Sequence, residues 1–289
     1  WNFPINQAVR KISGAIAAGC SIILKGPEDT PASCAELVKV FSDAGVPEGA
    51  INLVYGVPSD ISNYLIPHPF IKKISFTGST VVGKKLASLA AEHMKLSTME
   101  LGGHAPAIVF NDADLSSALD VLTAQKFRNA GQVCVAPTRF LIQDELYDQF
   151  VDGYVELSKN VKLGNGLDVD TTMGPLAHDR RLAAVEELVK NAVDLGATIR
   201  SGGQRVGNVG YFYPPTVMTD VPISSRIMNE EPFGPIIPIS SFSSIDEVLT
   251  EANRLPYGLS AYAYTSSSEI ADRVGQEIES GIIGINHHG

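Results

Sequence analysis

Cysteine is scarce in this chain: three among 289 residues, with a single tryptophan and no unbroken run of eighteen apolar residues. An odd, small set of cysteines excludes a disulfide framework and suits a reducing compartment. Without a long apolar run or a basic-apolar leader, neither a membrane span nor a secretory segment is expected. Basic residues are also in deficit. The 22 Lys and Arg against 32 Asp and Glu leave a net charge of −10, which argues against nucleic acid or an anionic membrane as partner. The six histidines, ending in His287 and His288, have no spacing with the cysteines that would suit a metal, so no metal is expected. A cytoplasmic protein fits these absences. What is present is 44% hydrophobic and 19% charged residues, enough for two domains with a core each. The first residue is Trp1, not Met, and the chain is expected to be part of a longer polypeptide.

Segments alternate along the first hundred residues. An apolar-periodic helix covers about 5–18, "CSIILKG" is a short strand, and "TPASCAELVKVFSDAG" is a helix with Thr30 as N-cap, Pro31 in its first turn and Gly45 past its end. "AINLVYG" and "KISFTGS" are further strands, the second feeding a helix over 79–93. Strands apolar on both faces, separated by helices, predict a parallel sheet covered on both sides. After residue 110 come helices at "DLSSALDVLTAQKFRNAG", "ELYDQFVDGYVELSKNV" and "RRLAAVEELVKNAVDLGA". Extended runs lie between them and near "GLSAYAYT" and "GIIGIN". This is a second α/β region, with the boundary set near residue 101.

Four stretches carry chemistry. In "KISFTGSTVVGKK" (73–85) a strand runs through Gly78 and Ser79 into a helix, which presents N–H groups and a positive helix end to an anion such as phosphate. Gly78, Gly83 and Lys84 imitate a nucleotide-hydrolase loop, yet Lys85 stands where that loop needs a hydroxyl for magnesium. A dinucleotide pyrophosphate needs no such hydroxyl, and a purely structural glycine would also serve. Cys134, in "KFRNAGQVCVAPTRF", follows a helix and neighbours the polar Arg128, Asn129 and Gln132, so it reads either as a small core residue or as an exposed nucleophilic thiol. Cys20 and Cys34 read as core. Glu100, before the double glycine of "MELGG", is a capping or a catalytic carboxylate. "NEEPFGP" (229–235) sets two carboxylates and an aromatic on a constrained loop.

Taken together, "WNFP" (1–4), "FTGST" (76–80), "MELGG" (99–103), "GQVC" (131–134) and "EEPFGP" (230–235) resemble the aldehyde dehydrogenase superfamily in order and spacing. "WNFPINQAVRK" and "KFRNAGQ" look most like its succinate-semialdehyde branch. The resemblance implies an α/β fold: residues 1–101 as part of a Rossmann-like, parallel-sheet coenzyme domain, and 102–289 as a catalytic domain cut short at its C-terminal end. It implies Cys134 as nucleophile, forming a thiohemiacetal and, after hydride transfer to the nicotinamide, a thioester. Asn2 and the Cys134 N–H would form the oxyanion hole, and Glu100 would activate the hydrolytic water.

For the coenzyme, the resemblance implies Gly78 and Ser79 against the pyrophosphate and Gly102 as a further coenzyme-binding residue. Lys25 and Glu28 would lie at the adenosine ribose, and Glu231 and Phe233 at the nicotinamide ribose and ring. A carboxylate at Glu28 favours NAD over NADP, because it accepts from a 2′-hydroxyl and repels a 2′-phosphate. Gly26 departs from the proline usual there. Arg10 and Arg128 match the arginines that hold a substrate's distal carboxylate. Succinate semialdehyde therefore leads, followed by glutarate or 2-oxoglutarate semialdehyde and then by a neutral or aromatic aldehyde. Ala136, where some relatives carry a second cysteine, removes a redox disulfide at the nucleophile. A homodimer or homotetramer is implied for the full-length protein, whose N-terminal segment and C-terminal end lie outside these residues. A phosphate-loop hydrolase or kinase, a coenzyme-free cysteine hydrolase and a non-enzymatic homologue are the competing classes.

Overall fold

A computed structural model describes residues 1–287; His288, half of the terminal histidine pair, lies outside the described residues. The chain forms two compact units, Trp1–Leu101 and Gly102–Gly289.

In the first unit, helix α1 (Pro4–Ala17) begins on a proline whose fixed φ suits the first helical turn. Its buried Ala8 and Ile12 pack with Cys34 of α2 (Pro31–Asp43) and Leu24 of β1 (Ile22–Lys25). Strand β1 pairs in parallel with β2 (Ile51–Val54). After α3 (Pro58–Leu65), strands β3 (Lys73–Thr77) and β4 (Leu96–Glu100) form a second parallel pair flanking α4 (Thr80–Glu92). The strand pairs are parallel, as the α/β reading expects, but neither pair is covered throughout on both sides. The strands of this unit divide into two two-stranded sheets, and residues such as Ile23 and Leu96 face solvent. Two further local expectations are corrected. Cys20 is exposed rather than core, because it follows the end of α1 and precedes β1. Thr30 occupies the N-cap position of α2, but its hydroxyl makes no capping bond and is buried without a partner.

The second unit is built on a seven-stranded sheet in the order β11-β10-β5-β6-β9-β8-β7. Its strands are β5 (Ala105–Val109), β6 (Pro137–Gln143), β7 (Thr198–Ser201), β8 (Thr216–Thr219), β9 (Ile236–Phe242), β10 (Ser260–Tyr264) and β11 (Ile282–Ile285). All neighbours run parallel except β7, which pairs antiparallel with β8. Here both faces are covered. On one side Ala107, Val109, Phe140 and Ile142 pack into the larger core with residues of α5 (Leu115–Phe127), α6 (Tyr147–Lys159) and α7 (Asp179–Asp194). The intervening Ile108 and Leu141 face a smaller core with α8 (Ile245–Asn253) and α9 (Ser268–Glu277). The alternation follows from the two-residue period of a strand, and it explains why β5 and β10 are buried throughout. Among the described residues no helix is long and apolar enough to cross a membrane.

Arg139 of β6 fastens one end of α8. Although 1% exposed, it donates to the carbonyls of Glu251 (2.7 Å) and Ala252 (2.8 Å), to Glu251 Oε1 (3.1 Å) and to the carbonyl of His104 (3.1 Å). A helix leaves its last carbonyls unpaired, and a guanidinium is suited to collecting them.

Candidate active site

The second unit gathers three of its sequence motifs at the amino ends of parallel strands. Residues 102–104 lead into β5, 131–136 into β6, and 230–235 into β9. Helix α5 is capped by Asp114, which accepts from the Ser117 N–H at 3.1 Å. Past its end the backbone turns through three successive residues in the left-handed region: Asn129 (φ 51°), Ala130 (φ 54°) and Gly131 (φ 73°). Non-glycine residues there are strained by about 1–2 kcal/mol each, so surrounding contacts must hold the turn. Gln132 supplies several. Its side-chain amide donates to the Asn129 carbonyl (3.0 Å) and its carbonyl oxygen accepts from the Ala177 N–H (2.9 Å). Gln132 is thus buried, not the solvated neighbour of the cysteine that its polarity suggested, because both ends of its amide are used.

Two glycines clamp the loop by close backbone approach. A Cβ on Gly131 would sit 2.2 Å from the Gly234 carbonyl oxygen, and one on Gly103 would sit 2.5 Å from that of Cys134. Side chains cannot occupy such space, so only glycine lets these segments touch. Tyr262 of β10 adds a third hold, its hydroxyl donating to the Val135 carbonyl at 2.6 Å. Cys134 emerges half-buried from this arrangement, between buried Val133 and Ala136.

The Gly103 N–H donates to Glu231 Oε1 at 3.2 Å, which draws the Glu231 carboxyl toward the cysteine loop. Burial pushes the Glu231 pKa up to about 7, against the pull of the Gly103 N–H and the charges of Arg181 and Lys126. Phe233, at φ 43°, is another strained non-glycine residue in the same loop. Its neighbour Glu230 is bound to Arg226 at the surface instead. Gly102 opens this unit, one residue before the glycine that carries the contact.

His104 holds the 102–104 segment from below. It is 1% exposed, with Nδ1 2.7 Å from Thr138 Oγ1 and Nε2 3.1 Å from the Ile227 carbonyl. The carbonyl requires Nε2 to carry a proton, and burial keeps the ring neutral, which leaves Nδ1 to accept from Thr138. Burial, with Arg139 nearby, pushes the His104 pKa down to about 3. Thr138 is available because the β5–β6 register shifts beside Ala105, which skips Thr138 in the pairing. Arg128 lies exposed near the end of α5, on an open cavity of about 320 Å³ with Asp120, Val121, Ala124 and Gln125.

The first unit holds the remaining expected residues. Asn2 lines an open cavity of about 400 Å³ with Phe3, Pro4, Ile5, Asn6 and Val9, and Arg10 is exposed on α1. Lys25 and Glu28 form an ion pair with each other. Ser79 caps α4 by accepting from the Val82 N–H at 3.4 Å, while Gly83 and Lys84 are ordinary helical positions. The Gly78 N–H is taken up by the Glu100 carbonyl at 3.1 Å, so the donors facing an anion here are the Ser79 hydroxyl and the first N–H groups of α4. A Cβ on Gly83 would meet Leu101 at 2.3 Å, so this glycine allows close helix packing. Glu100 ends β4 exposed and in register with Thr77. Lys11, which carried no signal in the sequence, donates to Thr77 Oγ1 at 2.6 Å; burial lowers its pKa and the charge of Glu100 opposes this.

The family model described as the aldehyde dehydrogenase family matches residues 1–289. The chain belongs to this family. It is 44% identical over 289 residues to the 4-(hydroxymethyl)benzenesulfonate dehydrogenase TsaD1 of Comamonas testosteroni, covering 100% of this chain and 60% of that protein. It is 41% identical over 286 residues to the succinate-semialdehyde dehydrogenase [NADP(+)] GabD of Escherichia coli, covering 99% and 59%. Among solved structures, a succinate-semialdehyde dehydrogenase from Burkholderia pseudomallei superposes with a TM-score of 0.98 at 39% identity, covering 100% and 60%. The chain thus spans about three fifths of the length of these relatives.

The family's coenzyme is NAD(P), and several features suit such a ligand. A capped helix start at Ser79 fits a pyrophosphate, and the carboxyls of Glu28 and Glu231 fit ribose hydroxyls. Buried cationic nitrogens without hydrogen-bond partners, Lys126 Nζ and Arg181 Nε, belong to residues whose charges act on Glu231.

Proposed function

We propose that the protein containing this chain oxidises an aldehyde bearing a distal anionic group to its carboxylate, using NAD(P) and the Cys134 thiol. The observation that carries this reading is the Cys134 loop. A strained, glycine-clamped turn ends in a half-buried thiol, an arrangement that core packing alone does not require.

Cys134 Sγ adds to the aldehyde carbon, and the Asn2 amide and the Cys134 N–H stabilise the resulting oxyanion. Each such donor contributes about 3 kcal/mol. Bound coenzyme supplies the hydride acceptor that turns the adduct into a thioester. Glu100 takes the proton of the water that releases the acid, a general-base role worth roughly 10² to 10⁴ in rate. Glu231 and Phe233 hold the nicotinamide ribose and ring, Gly78 and Ser79 lie at the pyrophosphate, and Gly102 is a further coenzyme-binding residue. Lys25 and Glu28 hold the adenosine ribose, with NAD preferred over NADP. The protein acts in the cytoplasm as a homodimer or homotetramer.

Arg10 and Arg128 recognise the distal anion through a guanidinium fork. Succinate semialdehyde is the leading substrate. A sulfonated aldehyde is a second reading, favoured by the similarity to a 3-sulfolactaldehyde dehydrogenase of Pseudomonas putida, 42% identical, and by the sulfonate in the substrate that names TsaD1. Carboxylate and sulfonate offer the same fork two oxygens.

The test is growth of absorbance at 340 nm with NAD and succinate semialdehyde, a sulfonated aldehyde, or an uncharged aldehyde of equal length. Cys134→Ala should abolish it, and Arg128→Ala should raise KM about tenfold or more for the anionic aldehydes alone. Full turnover by Cys134→Ala refutes the nucleophile. Equal KM values for wild type and Arg128→Ala refute the anion reading.

A further inference from the structure

Arg254 is the C-cap of α8, a place where an arginine ordinarily serves the last carbonyls of its own helix. Here the carbonyls of Glu251 and Ala252 are already taken by Arg139 of β6. Arg254 turns instead to the loop that carries Glu231 and Phe233. Its Nη1 donates to Asn229 Oδ1 at 2.7 Å and its Nη2 to the Met228 carbonyl at 3.0 Å. The same guanidinium grips Glu251, with Nε 2.6 Å from Oε2 and Nη2 3.1 Å from Oε1. Glu251, its side chain 17% exposed, also accepts from Arg139 at 3.1 Å. One shielded carboxylate thus fixes two arginines, and the second reaches across to the loop.

Asn229 passes this hold on. Its amide donates to the carbonyls of Ile223 (2.7 Å) and Ser225 (2.8 Å), which closes the turn 223–229 on itself. With the amide nitrogen so engaged, the amide oxygen is the atom that meets Arg254. Two residues on stands Glu231, drawn to the Gly103 N–H, and then Phe233 in its left-handed backbone. Elsewhere on the same loop His104 meets the Ile227 carbonyl, and the Arg226 N–H donates to Asn191 of α7 at 2.8 Å. The loop is therefore strung between the entry to β5, α7 and α8, and Arg254 is its anchor on α8. A strained residue such as Phe233 persists only where its surroundings over-determine it.

We propose that Arg254 is a positioning residue for the coenzyme: by holding Met228 and Asn229 to α8, it fixes where Glu231 and Phe233 meet the nicotinamide ribose and ring. This rests on the reading of Glu231 and Phe233 as the nicotinamide-side ligands. Arg254 acts through the loop and not by contact with the coenzyme. The guanidinium spans helix and loop because its donors sit in one rigid fork, whereas a lysine ammonium is a single point charge.

The experiment is equilibrium binding of NAD and of AMP by titration calorimetry, on the protein containing this chain, as wild type, Arg254→Ala, Arg254→Lys and Glu231→Gln. AMP carries the adenosine half alone and makes no use of Glu231 or Phe233. Arg254→Ala should weaken NAD about tenfold or more, the size of one lost charge-assisted hydrogen bond, and leave the AMP Kd unchanged. Arg254→Lys should recover part of that loss. General loosening of the fold would weaken both ligands alike, so the contrast between NAD and AMP is the readout. Wild-type NAD affinity in Arg254→Ala, or an equal loss for NAD and AMP, overturns the role of Arg254; a weak Glu231→Gln beside it leaves the Glu231 reading in place. Wild-type NAD affinity in Glu231→Gln overturns that underlying reading instead. If Arg254→Ala does not fold, Arg254→Lys decides, and a NAD Kd equal to that of wild type overturns the proposal.

Discussion

Acidification should unlatch the second unit through His104. In the fold the ring is neutral and its pKa is pushed down to about 3, from 6.5 in an open chain, by burial and by the charges of Arg139, Lys126 and Arg254. Because the folded value is the lower one, the unfolded chain takes up a proton first as pH falls. The stabilisation is therefore complete above pH 6.5 and is lost progressively below it, down to about 3. At pH 5 the unfolded state has gained about 1.5 pH units of advantage, or about 2 kcal/mol. Protonation would also set an N–H donor against the Thr138 hydroxyl, whose own proton would have to turn toward the Ala105 carbonyl 3.3 Å away. The assay is urea unfolding of wild type and His104→Gln from pH 5 to 8. Other groups titrate in both proteins, so the quantity that matters is the difference between the two stability curves. The wild-type advantage should shrink by about 2 kcal/mol between pH 8 and 5. Parallel curves would refute the neutral, buried assignment of His104.

Two further outcomes follow from local geometry. Gly131→Ala places a Cβ 2.2 Å from the Gly234 carbonyl in a left-handed residue, and should cost at least about 2 kcal/mol in unfolding experiments, with Cys134 alkylation by iodoacetamide altered in parallel. Unchanged stability and alkylation would show that the two loops do not touch. Glu28→Gln removes the carboxylate paired with Lys25, and should narrow the NAD over NADP ratio of kcat/KM about tenfold, since a 2′-phosphate would then meet Lys25 without a competing anion. An unaltered ratio would move coenzyme choice to other residues.

The sequence was informative where a residue's meaning is local. β6 and β10 fall on extended runs read between and after the helices, and their burial on both faces agrees. The same kind of run at β1 misled, because "CSIILKG" does not say what covers its second face, and Ile23 turns out exposed. The helix start at Ser79 was legible from its capping chemistry, while the Thr30 cap was not realised although its sequence signal was comparable. At the site, the chemistry-bearing side chains were visible as motifs, and the contacts that fix them were not. Gly131 meets Gly234 across about a hundred residues of chain, and His104 reaches Ile227 over a similar span. Lys126 and Gln132 carry polar side chains that composition assigns to the surface, and only the packing of α5 and the loop after it reveals them as buried. Short, lone positions carry no periodic signal that could have identified them.

The clamp between Gly131 and Gly234, with Gly103 against the Cys134 carbonyl, has a consequence for how such a chain diversifies. These contacts fix the Cys134 loop partly by main chain, with the Gln132 amide and the Tyr262 hydroxyl as its side-chain holds. Arg128, on an exposed stretch after α5, and Arg10, on the exposed face of α1, sit outside the clamp. Replacing either arginine would therefore leave the backbone contacts of the Cys134 loop in place, so the proposed anion recognition could change without disturbing that loop. By the same construction, a one-residue insertion between 131 and 134 would displace either the Gly131–Gly234 approach or the Gly103–Cys134 approach, because both are fixed by main chain.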